Sequence, residues 1–193
     1  MTQPANPHLE PGRVYRTQDL AQWSANPPRL AKRLVKEGAL VRLARGLFAH
    51  PKRGRFGAVP PGDDDLLRAF LDDAPFVITG PARWNTLGLG ATAVFATPLV
   101  YNTKRSGTFS LGGRGFQLRR VAFPSAPTPE WYVVDLFEHS AQAGVSRDAL
   151  TAALKRALAA GRFDARRLRE TAERYATKAT RAHLEAAMEA GHV

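Results

Sequence analysis

The side chains of this sequence best equipped for chemistry are its cations. From Asn26 to Glu37 the chain reads NPPRLAKRLVKE, and at about 100° of rotation per residue Arg29, Lys32, Arg33 and Lys36 share an arc of about 100°. Leu30, Ala31, Leu34 and Val35 fill the opposite stripe. Four cations backed by an apolar face suit a helix laid against a polyanion, because Arg and Lys reach both base edges in a major groove and the phosphates beside it. Arg42, Arg45, Lys52 and Arg53 follow closely and are positioned to meet a phosphate backbone. The charge is unevenly spread. Of a net +11, from 28 Lys and Arg against 17 Asp and Glu, the first 60 residues carry 11 basic and 3 acidic side chains.

Other combinations offer less. Lys104, Arg105, Arg114, Arg119 and Arg120 form a second basic group with no acid between Asp73 and Glu130, a candidate surface for flanking phosphates or RNA. Gly88, Gly90 and Ala93 match the spacing of a dinucleotide fingerprint, but they follow a helix and no acid lies between Asn102 and Gly113. Asp63, Asp64 and Asp65 stand where the helix dipole favours acids. His8, His50, His139, His183 and His192 are scattered, and Glu138-His139 lacks the second His of a zinc motif, so no metal site is expected. The absence of cysteine removes disulfides, thiolate metal sites and thiol catalysis, and no Ser sits in a nucleophile elbow. Trp84 reads as a core aromatic. Neither a catalytic set nor a cofactor site is expected, so a binding protein is favoured over an enzyme.

The cations need elements to hold them. Val14–Arg16 reads as a short strand, Thr17 as a cap and Gln18–Ser24 as a short helix. Asn26 caps a second helix with Pro27 at its first position and Gly38 as its stop. Ala39–Ala44 and Leu47–His50 form a hairpin turning at Arg45-Gly46. A helix, a turn and a basic helix followed by a hairpin make a winged helix-turn-helix. The dense Pro, Gly and charge of 51–65 reads as a linker, which sets domains at 1–60 and 61–193. Downstream come a helix over Asp63–Asp73, a strand over Phe76–Thr79 and a helix from Pro81 to near Gly88. Strands over Thr97–Thr103, Gly107–Leu111 and Arg114–Phe123 follow, the last two joined at Gly112-Gly113. Helices over Trp131–Gln142, Ser146–Ala160, Ala165–Ala176 and Lys178–Ala190 complete the chain. The fold class is α+β: an N-terminal winged helix-turn-helix, then a mixed α/β domain with a helical C-terminal extension. The N-terminus lacks the apolar stretch of a signal peptide and no run approaches a membrane span, so a soluble cytoplasmic protein is expected.

Two segments carry a family resemblance. TQDLAQWSANPPRLAKRLVKEGALVRLARGLFAHP resembles the winged helix-turn-helix of the abortive-infection AbiEi antitoxins of type IV toxin–antitoxin systems. VITGPARWNTLGLGATAVFATPLVYNTKRSGTFSLGGRGFQLRRVAFP resembles the C-terminal region of that group, where a helix ending in Asn-x-Leu-Gly-Leu precedes a β-hairpin. Together they cover roughly residues 10 to 140. The resemblance implies an autorepressor that binds inverted repeats in its own promoter as double-stranded DNA. It also implies opposition to an AbiEii-type nucleotidyltransferase toxin, without a stable complex, in phage defence. It carries the Asn26–Lys36 helix and the Arg42–Lys52 wing over as DNA contacts, and offers no catalytic residue. Two other readings stand beside it: a free-standing winged-helix regulator with a ligand-sensing C-terminal domain, and a nucleic-acid-processing enzyme.

Overall fold

A computed structural model of the chain describes residues 7–93 and 97–189. Ala190 and His192 lie outside the described residues. Within them the architecture is mixed α+β, with seven α-helices, a 3₁₀ helix and nine strands. The chain divides into two compact units: Met1–Phe76, as far as it is described, with Thr108–Phe116; and Val77–Gly107 with Gln117–Val193.

The first unit begins with β1 (Val14–Arg16) and a 3₁₀ helix over Thr17–Gln22. The sequence predicts a regular helix capped by Thr17. Instead the backbone N–H of Arg16 donates to Asp19 Oδ2 at 2.7 Å, so the acid caps the turn one residue earlier. The Thr17 N–H donates to the Gly46 carbonyl at 2.9 Å. Helix α1 (Pro27–Lys36) follows, with Asn26 Oδ1 accepting from the Arg29 N–H at 3.1 Å and two prolines in the first turn. Gly38, at φ 75°, turns the chain out, and the Ala39 N–H donates back to Leu34 O at 2.9 Å. Strands β2 (Val41–Ala44) and β3 (Leu47–Ala49) join β1 in a sheet of order β1-β3-β2, antiparallel throughout, with Ala49 opposite both Val14 and Val41. Leu30, Ala31 and Leu34 bury the inner face of α1 with Tyr15, Leu20, Leu40 and Phe48.

Residues 51–65 are not a plain linker. Lys52–Gly54 and Gly57–Val59 pair as a second antiparallel hairpin, β4 and β5. Neither strand buries a residue, so no alternation of apolar and polar positions marks it in the sequence. Helix α2 (Asp63–Phe70) follows, packed on β1, with Leu66 and Leu67 buried. It ends sooner than its pattern suggested, because Asp72 and Asp73 both take φ 56°.

Next along the chain come β6 (Phe76–Thr79), α3 (Pro81–Thr86), β7 (Leu99–Asn102), β8 (Gly107–Leu111) and β9 (Arg114–Arg120); β8 from Thr108 and β9 as far as Phe116 belong to the first unit, the rest from Val77 to the second. The strand order is β6-β7-β9-β8, with β7 and β9 parallel and Leu99 opposite Gln117. Helices α4 (Pro129–Glu138), α5 (Arg147–Ala159), α6 (Ala165–Tyr175) and α7 (Lys178–Glu189) are begun, in the first three, by Thr128, Ser146 and Asp164 caps. Asp164 accepts from the N–H groups of Arg166 and Arg167 at 2.9 and 3.0 Å, and these bonds hold its carboxyl below the usual carboxylate range. The last three helices are no appendage. Leu150, Leu154, Leu168 and Leu184 are fully buried in one core with Val133, Leu136 and Phe137 of α4. No helix among the described residues is long and apolar enough to cross a membrane.

Candidate nucleic-acid interface and a buried polar cluster

Helix α1 presents two faces of opposite chemistry. Leu30 and Leu34 are 6% and 2% exposed, whereas Arg29, Lys32 and Lys36 stand in solvent and Arg33 is half-exposed. Only Arg33 shares its charge within the helix, with Glu37 at 3.7 Å. Such a pair, one turn apart and exposed, contributes little and yields readily to a phosphate. Asn26 is occupied as the cap, and that explains it without a base contact.

The remaining expected contacts fall on two hairpins. Arg42 and Arg45 belong to the β2–β3 hairpin, both exposed, with Arg42 Nε donating to Ala44 O at 3.4 Å. Gly46, at φ 75°, supplies the turn beside Arg45. Lys52 and Arg53 lie on β4 instead, where both are exposed.

The second basic group draws on both units. Arg114 lies in the first unit, with Nη1 2.6 Å from Asp63 and a further bond to the Pro61 carbonyl. In the second unit the Lys104 and Arg105 N–H groups donate to Asn102 Oδ1 at 2.9 and 2.8 Å, leaving both side chains exposed. Arg119 is half-buried and Arg120, its neighbour on β9, points to the other side because strand side chains alternate.

A buried polar cluster lies in the second unit. Asp135 of α4 is buried, and its Oδ2 accepts from Thr79 Oγ1 at 2.5 Å and Trp84 Nε1 at 2.7 Å. Its Oδ1 accepts from the Tyr101 hydroxyl at 2.6 Å. One carboxylate thus ties β6, α3 and β7 to α4. His139, one turn on, has Nδ1 2.9 Å from the Asp135 carbonyl and Nε2 3.3 Å from the Tyr101 oxygen. Tyr101 gives its one proton to Asp135, so Nε2 can bond the Tyr101 oxygen only as a donor. Burial opposes a charge on His139, but hydrogen bonding and attraction from Asp135 outweigh it and raise its pKa. Burial, with the Asp135 charge next, raises that of Tyr101. Trp84 is the core aromatic, stacked on His139 at 5.4 Å.

Beside the cluster is a cleft of about 280 Å³ bordered by Tyr101, Arg119, Glu138, His139, Tyr175 and Thr177. Glu138 is engaged there by the Thr177 N–H at 2.6 Å. The Thr177 hydroxyl also donates to Glu138 Oε2 at 3.3 Å. The signal available in the sequence was Asp135 itself, a lone acid inside the apolar run WYVVDLF, with His139 at i+4.

No family model and no curated protein matches the chain. Among solved structures it is similar to the Rv2827c protein from Mycobacterium tuberculosis, with a TM-score of 0.60 and 16% identity, over 93% of this chain and 72% of that one. At that identity the likeness concerns the fold, here the mixed α+β architecture.

Proposed function

We propose that this chain is a DNA-binding antitoxin and autorepressor of a type IV toxin–antitoxin operon, acting in the cytoplasm against a nucleotidyltransferase toxin. The observation that carries the DNA-binding part is α1: a capped helix whose inner face is fixed in a core and whose outer face offers Arg29, Lys32, Lys36 and Arg33. Residues 1–60 act as a winged helix-turn-helix, with α1 in the major groove and Arg42 and Arg45 on the backbone. The β1-β3-β2 sheet around α1 is compatible with that motif. The antitoxin role rests on the resemblance of 17–51 and 77–124 to AbiEi proteins, and the second unit is its site.

The test is a reporter driven by the chain's own upstream sequence, run with a growth assay against the cognate nucleotidyltransferase. Repression that disappears when Arg29, Lys32 and Arg33 become Ala, with toxin protection retained, supports both parts. Repression unaffected by that change contradicts the DNA-binding part, and no protection by the unaltered chain contradicts the antitoxin part. A second reading has one observation in its favour: the cleft beside Tyr101 and Asp135 suits a ligand-sensing regulator, which a ligand-dependent rise in melting temperature would support.

A further inference from the structure

Phe56 is 97% exposed, the largest exposure among the exposed large hydrophobic side chains described. It sits with Arg55 at the two-residue tip of the β4–β5 hairpin, where Gly54 pairs with Gly57. The tip depends on those glycines: a Cβ on Gly54 would stand 2.8 Å from Val59 Cγ2, and Gly57 takes φ 117°. All six strand residues are exposed, so no core beneath holds the hairpin. An isolated two-stranded hairpin is marginal in water and is steadied by what it grips.

Its surroundings indicate what that is. Lys52, Arg53 and Arg55 flank Phe56, the Arg55 guanidinium lying 5.7 Å from the ring centroid, and no acid occurs from Gly38 to Gly62. An apolar tip among cations matches the side chains that architectural proteins insert between base steps while their Arg and Lys take up the phosphates. A lipid surface would ask for a wider apolar face than one ring.

We propose that the β4–β5 hairpin is a second DNA-binding element, in which Phe56 wedges against the bases of duplex DNA and Lys52, Arg53 and Arg55 hold the phosphates on either side. The proposal rests on the DNA-binding reading above and adds a contact beyond α1 and the β2–β3 hairpin.

The test uses the full chain and duplexes of its own upstream sequence carrying 2-aminopurine at successive positions, a base that brightens when unstacked. The unaltered chain is expected to brighten one step and to prefer this DNA over a scrambled duplex. Phe56→Ala should lose the brightening and about tenfold in affinity, the scale of one aromatic–base contact. Its salt dependence and melting temperature should not change, because the residue carries no charge and buries nothing. Phe56→Leu, still an apolar wedge, should restore the brightening. Brightening at no step, or affinity and brightening that survive Phe56→Ala, would overturn the wedge while leaving promoter binding intact. Failure of the unaltered chain to prefer its own sequence would overturn both. Loss of binding to phosphatidylserine vesicles on Phe56→Ala, with DNA binding unchanged, would reassign the tip to lipid.

Discussion

Asp135 is the residue on which the second unit turns. Three donors from three elements converge on its two oxygens, at 2.5, 2.7 and 2.6 Å, with the His139 ring 3.4 Å away. Truncation would leave buried hydroxyl and indole donors unpaired and His139 without its acidic neighbour. Asp135→Ala should therefore cost about 3–5 kcal/mol, read by urea unfolding of the full chain, and a loss below about 1 kcal/mol would contradict the network. His139 makes a second prediction. The folded protein holds its proton more tightly than the unfolded chain, whose imidazole titrates near 6.5. The resulting stabilisation is complete below pH 6.5 and is lost as pH rises through the higher folded value. The stability difference between the unaltered chain and His139→Gln should shrink as pH rises above about 6.5. A difference that grows with pH would contradict the assignment.

At the scale of elements, α1 is built by local chemistry. Asn26 accepts from the Arg29 N–H, two prolines preset the first turn and Gly38 ends the helix. Asn26→Ala should destabilise the helix by about 1 kcal/mol, seen as roughly fivefold faster amide exchange in its first turns, while Asn26→Asp keeps the protection. Equal exchange in all three would show that packing alone fixes the helix. The same locality explains what could be read in advance. Caps, prolines and the Arg45-Gly46 turn lie within a few residues of what they control, so α1, β2 and β3 were legible. The β4–β5 hairpin was not, since six exposed residues give no periodicity. The Asp135 cluster was hidden because its partners stand 56, 51 and 34 residues away. The Arg114–Asp63 pair was likewise hidden, since its members stand far apart in the chain.

For the whole molecule, the governing fact is where the charge sits. The first 60 residues hold 11 of the 28 basic side chains and only 3 of the 17 acids, and α1 directs its share outward. For the promoter complex proposed above, that asymmetry predicts a strong dependence on salt. The most direct test is fluorescence anisotropy of the full chain on its own upstream DNA and on a scrambled duplex across a salt series, repeated with Arg29, Lys32 and Arg33 changed to Ala. If about six phosphates are neutralised, log K should fall with log salt at a slope of roughly −5. Upstream DNA should win over scrambled DNA, and the triple variant should lose that preference with a shallower slope. Equal, weak binding to both duplexes, or a response flat in salt, would contradict the account.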